Sequence, residues 1–282
     1  MGQELKAGWS QDCLQAADGT RLYYQFHAAA NPAATVVILH GHGEHAGRYE
    51  KFPQKIGLPL NYAICDMRGQ GRSEGREVYV ERFDNFLQDV DTFLGHLRSR
   101  HGLRDMILFG HSLGGLVAVH WLLKRRERVR GLILSSPCLG VTLPALIVAL
   151  NNTVEFLSPA FLYSNPVYPA HLTHNTEEVE AYRKDPFIKR KITARLLCEM
   201  QRAMRSLESM DTYEFSFPVH ILMAENLEKV VDPAKTRLFF SKLKAPEKSI
   251  KAFTDFYHEI FNERDQDLAF AELKIRLQSL LQ

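Results

Sequence analysis

Met106-Ile107-Leu108-Phe109-Gly110-His111-Ser112-Leu113-Gly114-Gly115 is the stretch whose reading decides the fold. Its first four residues form a short apolar run, bounded by glycine, that predicts a buried strand. The residues from Leu113 to Leu123 predict a helix. Between them lies Gly110-x-Ser112-x-Gly114. A serine on a sharp strand-to-helix turn sits in a strained backbone, and glycines two residues either side let the chain bend that tightly. Such a turn lifts the hydroxyl clear of the sheet. The first N–H groups of the helix, which have no intrahelical acceptor, face the same space.

Working outward, Thr35–Leu39, Tyr62–Cys65 and Gly131–Ser135 are further apolar, strand-like runs, short enough to be covered on both faces. Phe83, Phe86, Leu87, Val90, Phe93, Leu94 and Leu97 share one helical face. Leu14–Ala17, the turn Asp18-Gly19 and Leu22–Phe26 predict an N-terminal hairpin. Strands alternating with helices predict an α/β fold with a mostly parallel twisted sheet flanked by helices. The alternation stops from about Leu139 to Tyr213, where only helical patches are read, one begun by Asn175-x-x-Glu178 and another spanning Lys191 to Leu207. It resumes with the strands Val219–Met223 and Ser249–Phe253 and a last helix from Asp265 to Leu281. The expected organisation is a core of residues 1–138 and 214–282 with an inserted helical cap, or lid, over 139–213.

The 282 residues are 45% hydrophobic and 24% charged, with a net charge of +2. That balance gives no nucleic-acid footprint. The cysteines at 13, 65, 138 and 198 are far apart without a C-x-x-C pair, so buried free thiols are expected. Met1 to Ser10 lacks the apolar core of a signal peptide, and the apolar run Val141–Leu150 is too short to span a bilayer. A cytoplasmic protein is expected, able to sit peripherally on the inner membrane surface.

Ser112 needs a base. Of twelve histidines, His258 follows the last predicted strand, and parallel strands end at a common rim where it can meet Ser112.

Gly110-His111-Ser112-Leu113-Gly114-Gly115, His40-Gly41-His42-Gly43-Glu44-His45-Ala46-Gly47-Arg48-Tyr49 and Asp66-x-Arg68-Gly69-x-Gly71-x-Ser73 resemble the α/β-hydrolase superfamily. More narrowly they resemble its monoacylglycerol lipase and bacterial lysophospholipase branch, whose cap the stretch Glu178 to Arg195 also resembles. The resemblance implies a serine hydrolase with the chain order nucleophile, acid, histidine. It implies an oxyanion hole from the backbone N–H groups of His42 and Leu113, and no cofactor or metal. His40, Glu44, Asp66, Arg68 and Ser73 are read as braces. The acid is expected after Val219–Met223. Most relatives place Asp two residues before an apolar pair, here Val230-Val231, which selects Glu228 on a loop that looks one residue longer. Asp232 is the alternative, although before Pro233 it suits an N-cap better; Glu225 stands third.

Three rival readings use the same chain. A zinc hydrolase would use His40, His42 and His45, and a chelator would abolish it. A binding module on this fold would ignore a fluorophosphonate probe. A proline iminopeptidase-like enzyme or small-ester hydrolase would share the same triad. For the lipase reading the expected substrate is a lipid monoester, either a lysophospholipid or a monoacylglycerol. Leu143, Leu146, Ile147 and Leu150 of the cap are expected to contact its acyl chain and a membrane or micelle. Lys189-Arg190-Lys191 is a candidate for a phosphate headgroup or simply a solvated face.

Overall fold

A computed structural model describes residues 6–141, 144–164 and 167–282. In chain order the strands and helices are β1 (Trp9–Gln15), β2 (Arg21–His27), β3 (Ala34–Leu39), α1 (Phe52–Ile56), β4 (Leu60–Cys65), α2 (Asp84–His101), β5 (Met106–His111), α3 (Leu113–Arg125), β6 (Gly131–Ser135), α4 (Ala145–Leu157), β7 (Leu162–Ser164), α5 (Thr176–Lys184), β8 (Lys191–Thr193), α6 (Ala194–Glu208), β9 (Tyr213–Glu214), β10 (Val219–Ala224), α7 (Pro233–Lys242), β11 (Leu243–Lys244), β12 (Lys248–Phe253) and α8 (Gln266–Leu281).

Eight strands form one sheet in the order β1-β2-β4-β3-β5-β6-β10-β12. From β4 to β12 every pairing is parallel, and the antiparallel pairs are confined to β1–β2 and β2–β4. β3 and β5 are buried at every position, as apolar runs covered on both faces require. One core layer packs α2, α3 and α6 against the sheet, with Phe86, Phe93, Trp121 and Met204 among its members. The other packs α1 and α8, through Phe52, Phe261, Phe270 and Leu273. This is the α/β-hydrolase architecture. Cys65, Cys138 and Cys198 are buried free thiols, and Cys13 is half-buried and free.

The middle of the chain differs from the sequence reading in one respect. It contains strands: β7 pairs antiparallel with β8, Leu162 opposite Thr193. Lys191–Thr193 is therefore extended, and the helix expected from Lys191 starts at Ala194, where the Thr193 side chain accepts the Leu196 N–H. The β-branched Ile192-Thr193 pair and the cap-forming threonine account for the shift. The other helix start falls where the sequence put it, with Asn175 accepting the Glu177 N–H. Among the described residues, no helix is long and apolar enough to cross a membrane.

Candidate active site

β5 delivers Ser112 to the carboxyl edge of the sheet. The serine has φ 50° and ψ −117°, a left-handed backbone that costs of order 1–3 kcal/mol for a residue with a Cβ. Its surroundings enforce it. The Ser112 N–H donates to the Ser135 carbonyl at 3.0 Å, and its carbonyl accepts from Cys138, Gly115 and Leu116. The glycine spacing has a local cause. A Cβ on Gly114 would run into the carbonyls of Leu39 and His40, and one on Gly110 would press on Gly114 and Gly115. The helix thus begins hard against the sheet. The Leu113 N–H opens α3, so it has no intrahelical acceptor.

The turn after β3 lies beside it. The backbone of Gly41 is so close that a Cβ there would sit 3.2 Å from the Ser112 Cβ. Neither the His42 nor the Leu113 N–H donates to another described residue. The turn is held from behind. Glu44 Oε1 accepts the Gly41 N–H at 3.1 Å and Gln70 Oε1 accepts that of Gly43 at 2.6 Å. His40 Nε2 accepts the Met67 N–H at 2.8 Å, so its proton is on Nδ1, which donates to the Gly41 carbonyl at 2.7 Å. Burial pushes the His40 and His42 rings below the ordinary histidine value, His42 to about 4. The His42 ring donates from Nε2 to the Lys191 carbonyl at 2.9 Å. His45 Nδ1 accepts from Gly47, and its Nε2 meets Asp185 at 2.8 Å. The three imidazoles thus face three different partners rather than one point, and no group of three metal-ligating side chains is found among the described residues. Asp66 and Ser73 are braces as read: Asp66 accepts the Ala46 and Arg72 N–H groups, and Ser73 Oγ donates to the Asp66 carbonyl. Arg68 forms a bidentate pair with Asp89.

His258 lies on the loop between β12 and α8. It is 2% exposed, and its ring centroid is 5.0 Å from that of His111, the residue before the serine. Its Nδ1 meets Glu228 Oε2 at 2.9 Å, and Glu228 is fully buried at its side chain. The other carboxylate oxygen accepts the N–H groups of Val230 and Val231, at 2.7 and 3.3 Å. The loop therefore curls around its own glutamate. Burial pushes the Glu228 carboxyl up, but the His258 charge and these hydrogen bonds outweigh it, and the group falls below the ordinary carboxylate value. For His258, burial pulls down while the charges of Glu228, Glu259 and Glu44 push up, leaving the ring above the ordinary histidine value. Both shifts favour an ionised pair. His258 Nε2 is buried and bonds nothing among the described residues.

The two other acids on the loop are engaged elsewhere. Asp232 accepts the Ala234 N–H at 2.9 Å as the N-cap of α7. Glu225 pairs with Arg237. Of the four residues expected from sequence to contact an acyl chain, Leu146, Ile147 and Leu150 are 78%, 45% and 57% exposed on α4, and Leu143 lies outside the described residues. α4 is tied to α6 through Asn151, whose Nδ2 reaches Cys198 Sγ at 2.9 Å and the Ala194 carbonyl at 3.3 Å, and through Glu155, which pairs with Arg195 and Arg202. Of the basic triplet, Arg190 bonds the carbonyls of Tyr182 and Arg183, and the Lys189 N–H donates to the Gly43 carbonyl.

Sequence reasoning passed over a buried ionic cluster beside the histidine. Arg48 grips Glu259 bidentately, at 2.6 and 2.7 Å, and also Glu44 at 3.1 Å. The signals were present: Arg48 stands four residues after Glu44, and Glu259 is next to His258.

Comparison with known proteins places the chain among hydrolases. The family model Hydrolase_4, described as "Serine aminopeptidase, S33", matches residues 30–265. Phospholipase YtpA of Bacillus subtilis is 29% identical, over 86% of this chain and 94% of that protein. Human monoglyceride lipase is 28% identical, over 88% of this chain and 82% of its own. The crystal structure of Paleococcus ferrophilus monoacylglycerol lipase matches with a TM-score of 0.82 at 28% identity, covering 92% of this chain and 99% of that one.

Proposed function

The chain belongs to the Hydrolase_4 family of serine hydrolases, within the α/β-hydrolases, and from that premise we propose that it cleaves carboxylic esters of lipids, a lysophospholipid or a monoacylglycerol, through an acyl-enzyme on Ser112. The observation that carries the reading is the His258–Glu228 pair, with His258 Nε2 left unengaged among the described residues and its ring 5.0 Å from that of His111, which precedes a serine held at positive φ.

The chemistry follows from those atoms. Ser112 Oγ attacks the ester carbonyl as His258 Nε2 takes its proton. Glu228 keeps the Nδ1 proton in place and stabilises the imidazolium. The N–H groups of His42 and Leu113 receive the developing oxyanion, each worth roughly 3–4 kcal/mol of barrier. Collapse breaks the ester bond, and His258 returns the proton to the departing alcohol. A water deprotonated by the same imidazole then releases the fatty acid and restores Ser112.

The lipid side of the proposal rests on residues 139–213 acting as a cap on the core 1–138 and 214–282. Leu146, Ile147, Leu150, Phe156 and Leu157 give α4 an exposed apolar face suited to an acyl chain at a membrane or micelle surface, with the protein itself in the cytoplasm. Relatives named as phospholipase and monoglyceride lipase point the same way. The family description favours a second reading, aminopeptidase activity on the same serine. Rates on p-nitrophenyl esters, monoolein, lysophosphatidylcholine and an aminoacyl arylamide separate the two. Turnover of monoolein or lysophosphatidylcholine well above the arylamide is expected, and the reverse order would replace the lipase reading with the peptidase one.

A further inference from the structure

The Glu44–Arg48–Glu259 cluster is almost wholly inside the protein, with side chains 7%, 10% and 5% exposed. Burying three charges is costly, and such a group is weak evidence of stabilisation by itself. Its connections are more informative. Glu44 holds the Gly41 N–H with the oxygen that Arg48 does not take, and so fixes the turn that carries His42. Glu259 is covalently next to His258. Its Oε2 accepts from Asn262 Nδ2 at 2.8 Å as well as from Arg48, and its backbone N–H donates to the Leu172 carbonyl at 2.8 Å. One planar guanidinium therefore ties together two loops that are far apart in sequence and flank Ser112. Tyr182 of α5 lies against the same guanidinium, 5.1 Å from ring centroid to Cζ. The cavity beside the cluster, lined by Glu44, Arg48, His111 and Glu259 among others, is only about 20 Å³. That is room for a water and no more, so the cluster is an internal brace and not a ligand pocket.

We propose that Arg48 is a positioning residue: by bridging Glu44 and Glu259 it holds the oxyanion-side turn and the His258 loop in register across Ser112. The proposal rests on the serine-hydrolase reading above and adds to it a group that touches no substrate. It also has an electrostatic side. His258 is faced by Glu228 from the loop after β10, by Glu259 from its own loop, by Glu44 from the turn after β3 and by the His111 ring from β5; Arg48 offsets the two cluster carboxylates. Removing Glu259's charge should lower the pKa of His258, and removing Arg48's charge should raise it.

The test uses the full chain and a short water-soluble p-nitrophenyl ester, with kcat, KM and the pH profile of kcat/KM measured for Glu259→Gln, Arg48→Lys and Arg48→Met. Misplacing a reacting group by about 1 Å costs about 100-fold in rate, so kcat is expected to fall about 100-fold in Arg48→Lys, with KM within about threefold. Its acid limb should stay put, because the charge remains while the bidentate fork is lost. The limb should move to lower pH in Glu259→Gln and to higher pH in Arg48→Met. A loss of melting temperature with kcat and all acid limbs unchanged would overturn the proposal. If Arg48→Met fails to fold, the near-isosteric Glu259→Gln and the charge-retaining Arg48→Lys decide it: wild-type kcat and pH profile in both would overturn it, and the split described would support it. Full activity in Ser112→Ala would instead refute the serine-hydrolase reading, leaving a distinct signature.

Discussion

α3 and α4 are both thirteen-residue helices of largely apolar sequence, and their fates differ. α3 follows the serine and buries Leu113, Leu116, Val117, Val119, Trp121 and Leu122. α4 follows β6 and leaves Leu146, Leu150, Phe156 and Leu157 more than half exposed. The cause is position. α3 is clamped between the sheet and α6, so its side chains are consumed in the core, whereas α4 is tied to α6 through Asn151 and Glu155 and leaves these four side chains in solvent. Apolar surface spent on folding serves stability. Apolar surface left over calls for another explanation, and the proposed lipid substrate supplies one. Substitutions can break that division of labour between a rigid reaction centre and the proposed cap.

The largest effect is expected at the serine. Ser112→Ala should remove about 10⁶-fold of turnover, the loss seen when a triad acting as a unit loses its nucleophile. Its melting temperature should not fall, since alanine makes no worse fit to the strained turn. Substantial residual turnover in a clean preparation would move the chemistry off β5–α3. Next comes the acid. Glu228→Gln should cost about 10⁴-fold, because the amide favours the wrong imidazole tautomer. Asp232→Asn should leave turnover within a few-fold and remove up to about 1 kcal/mol of stability through its cap. Rates compared at equal folded fraction check both, and a reversal would transfer the acid to Asp232.

The pH dependence is intermediate in size and its sign is fixed. His258 works as a base only when neutral, and it sits above its ordinary 6.5. The acid limb of kcat/KM on an uncharged ester should therefore fall above that value, with about a tenfold drop per pH unit below it. Stability runs the other way. The raised His258 contributes fully below 6.5 and loses its contribution as pH rises through its folded value. Glu228, ordinarily 4.5 and lowered here, contributes above 4.5 and loses that as pH falls through its folded value. The pair stabilises most between about 4.5 and 6.5, on the acid side of best activity. Melting curves and rates across pH that peak together would contradict the ionised pair.

These contrasts also explain what was legible in the sequence. Strands β3, β4, β5 and β6 could be read because apolar runs ended by glycine or charged residues have few alternative readings. Glu228 stands out in the sequence through the family resemblance, which puts an acid two residues before the apolar pair Val230-Val231, and because Asp232 precedes Pro233 and suits a helix cap. The short strands β7 and β8 escaped because three residues carry no periodicity, and β8 merges into the amphipathic pattern of α6. The Arg48–Glu259 pair escaped for another reason. Glu44 and Arg48 look like an ordinary helical i,i+4 pair, and nothing in the chain announces a partner 211 residues away. The exposure of α4 was hidden too, because an apolar run reads alike whether a neighbour covers it or not.

The smallest effect, and the one that most sharpens the comparison, concerns α4 itself. Leu146→Glu and Ile147→Glu place charge where solvent already reaches, so stability should change by no more than about 0.5 kcal/mol. A truncation in the buried helix, Leu116→Ala, should cost about 2–5 kcal/mol by leaving a cavity. Activity should divide the other way. On the proposed lipase reading only a long acyl chain reaches α4, so acetate hydrolysis by the two glutamate variants should stay within about twofold of the parent. Long-chain substrate presented in micelles must leave a hydrocarbon surface, and each CH₂ no longer covered forfeits about 0.8 kcal/mol. Loss of cover over only two methylenes therefore predicts a drop of about tenfold in kcat/KM on monoolein. Initial rates on acetate and on monoolein, measured beside melting curves for all three variants, give the answer. Equal losses on both esters at unchanged stability would mean that α4 acts on the reaction centre rather than on the lipid, and its bare apolar face would then need another partner.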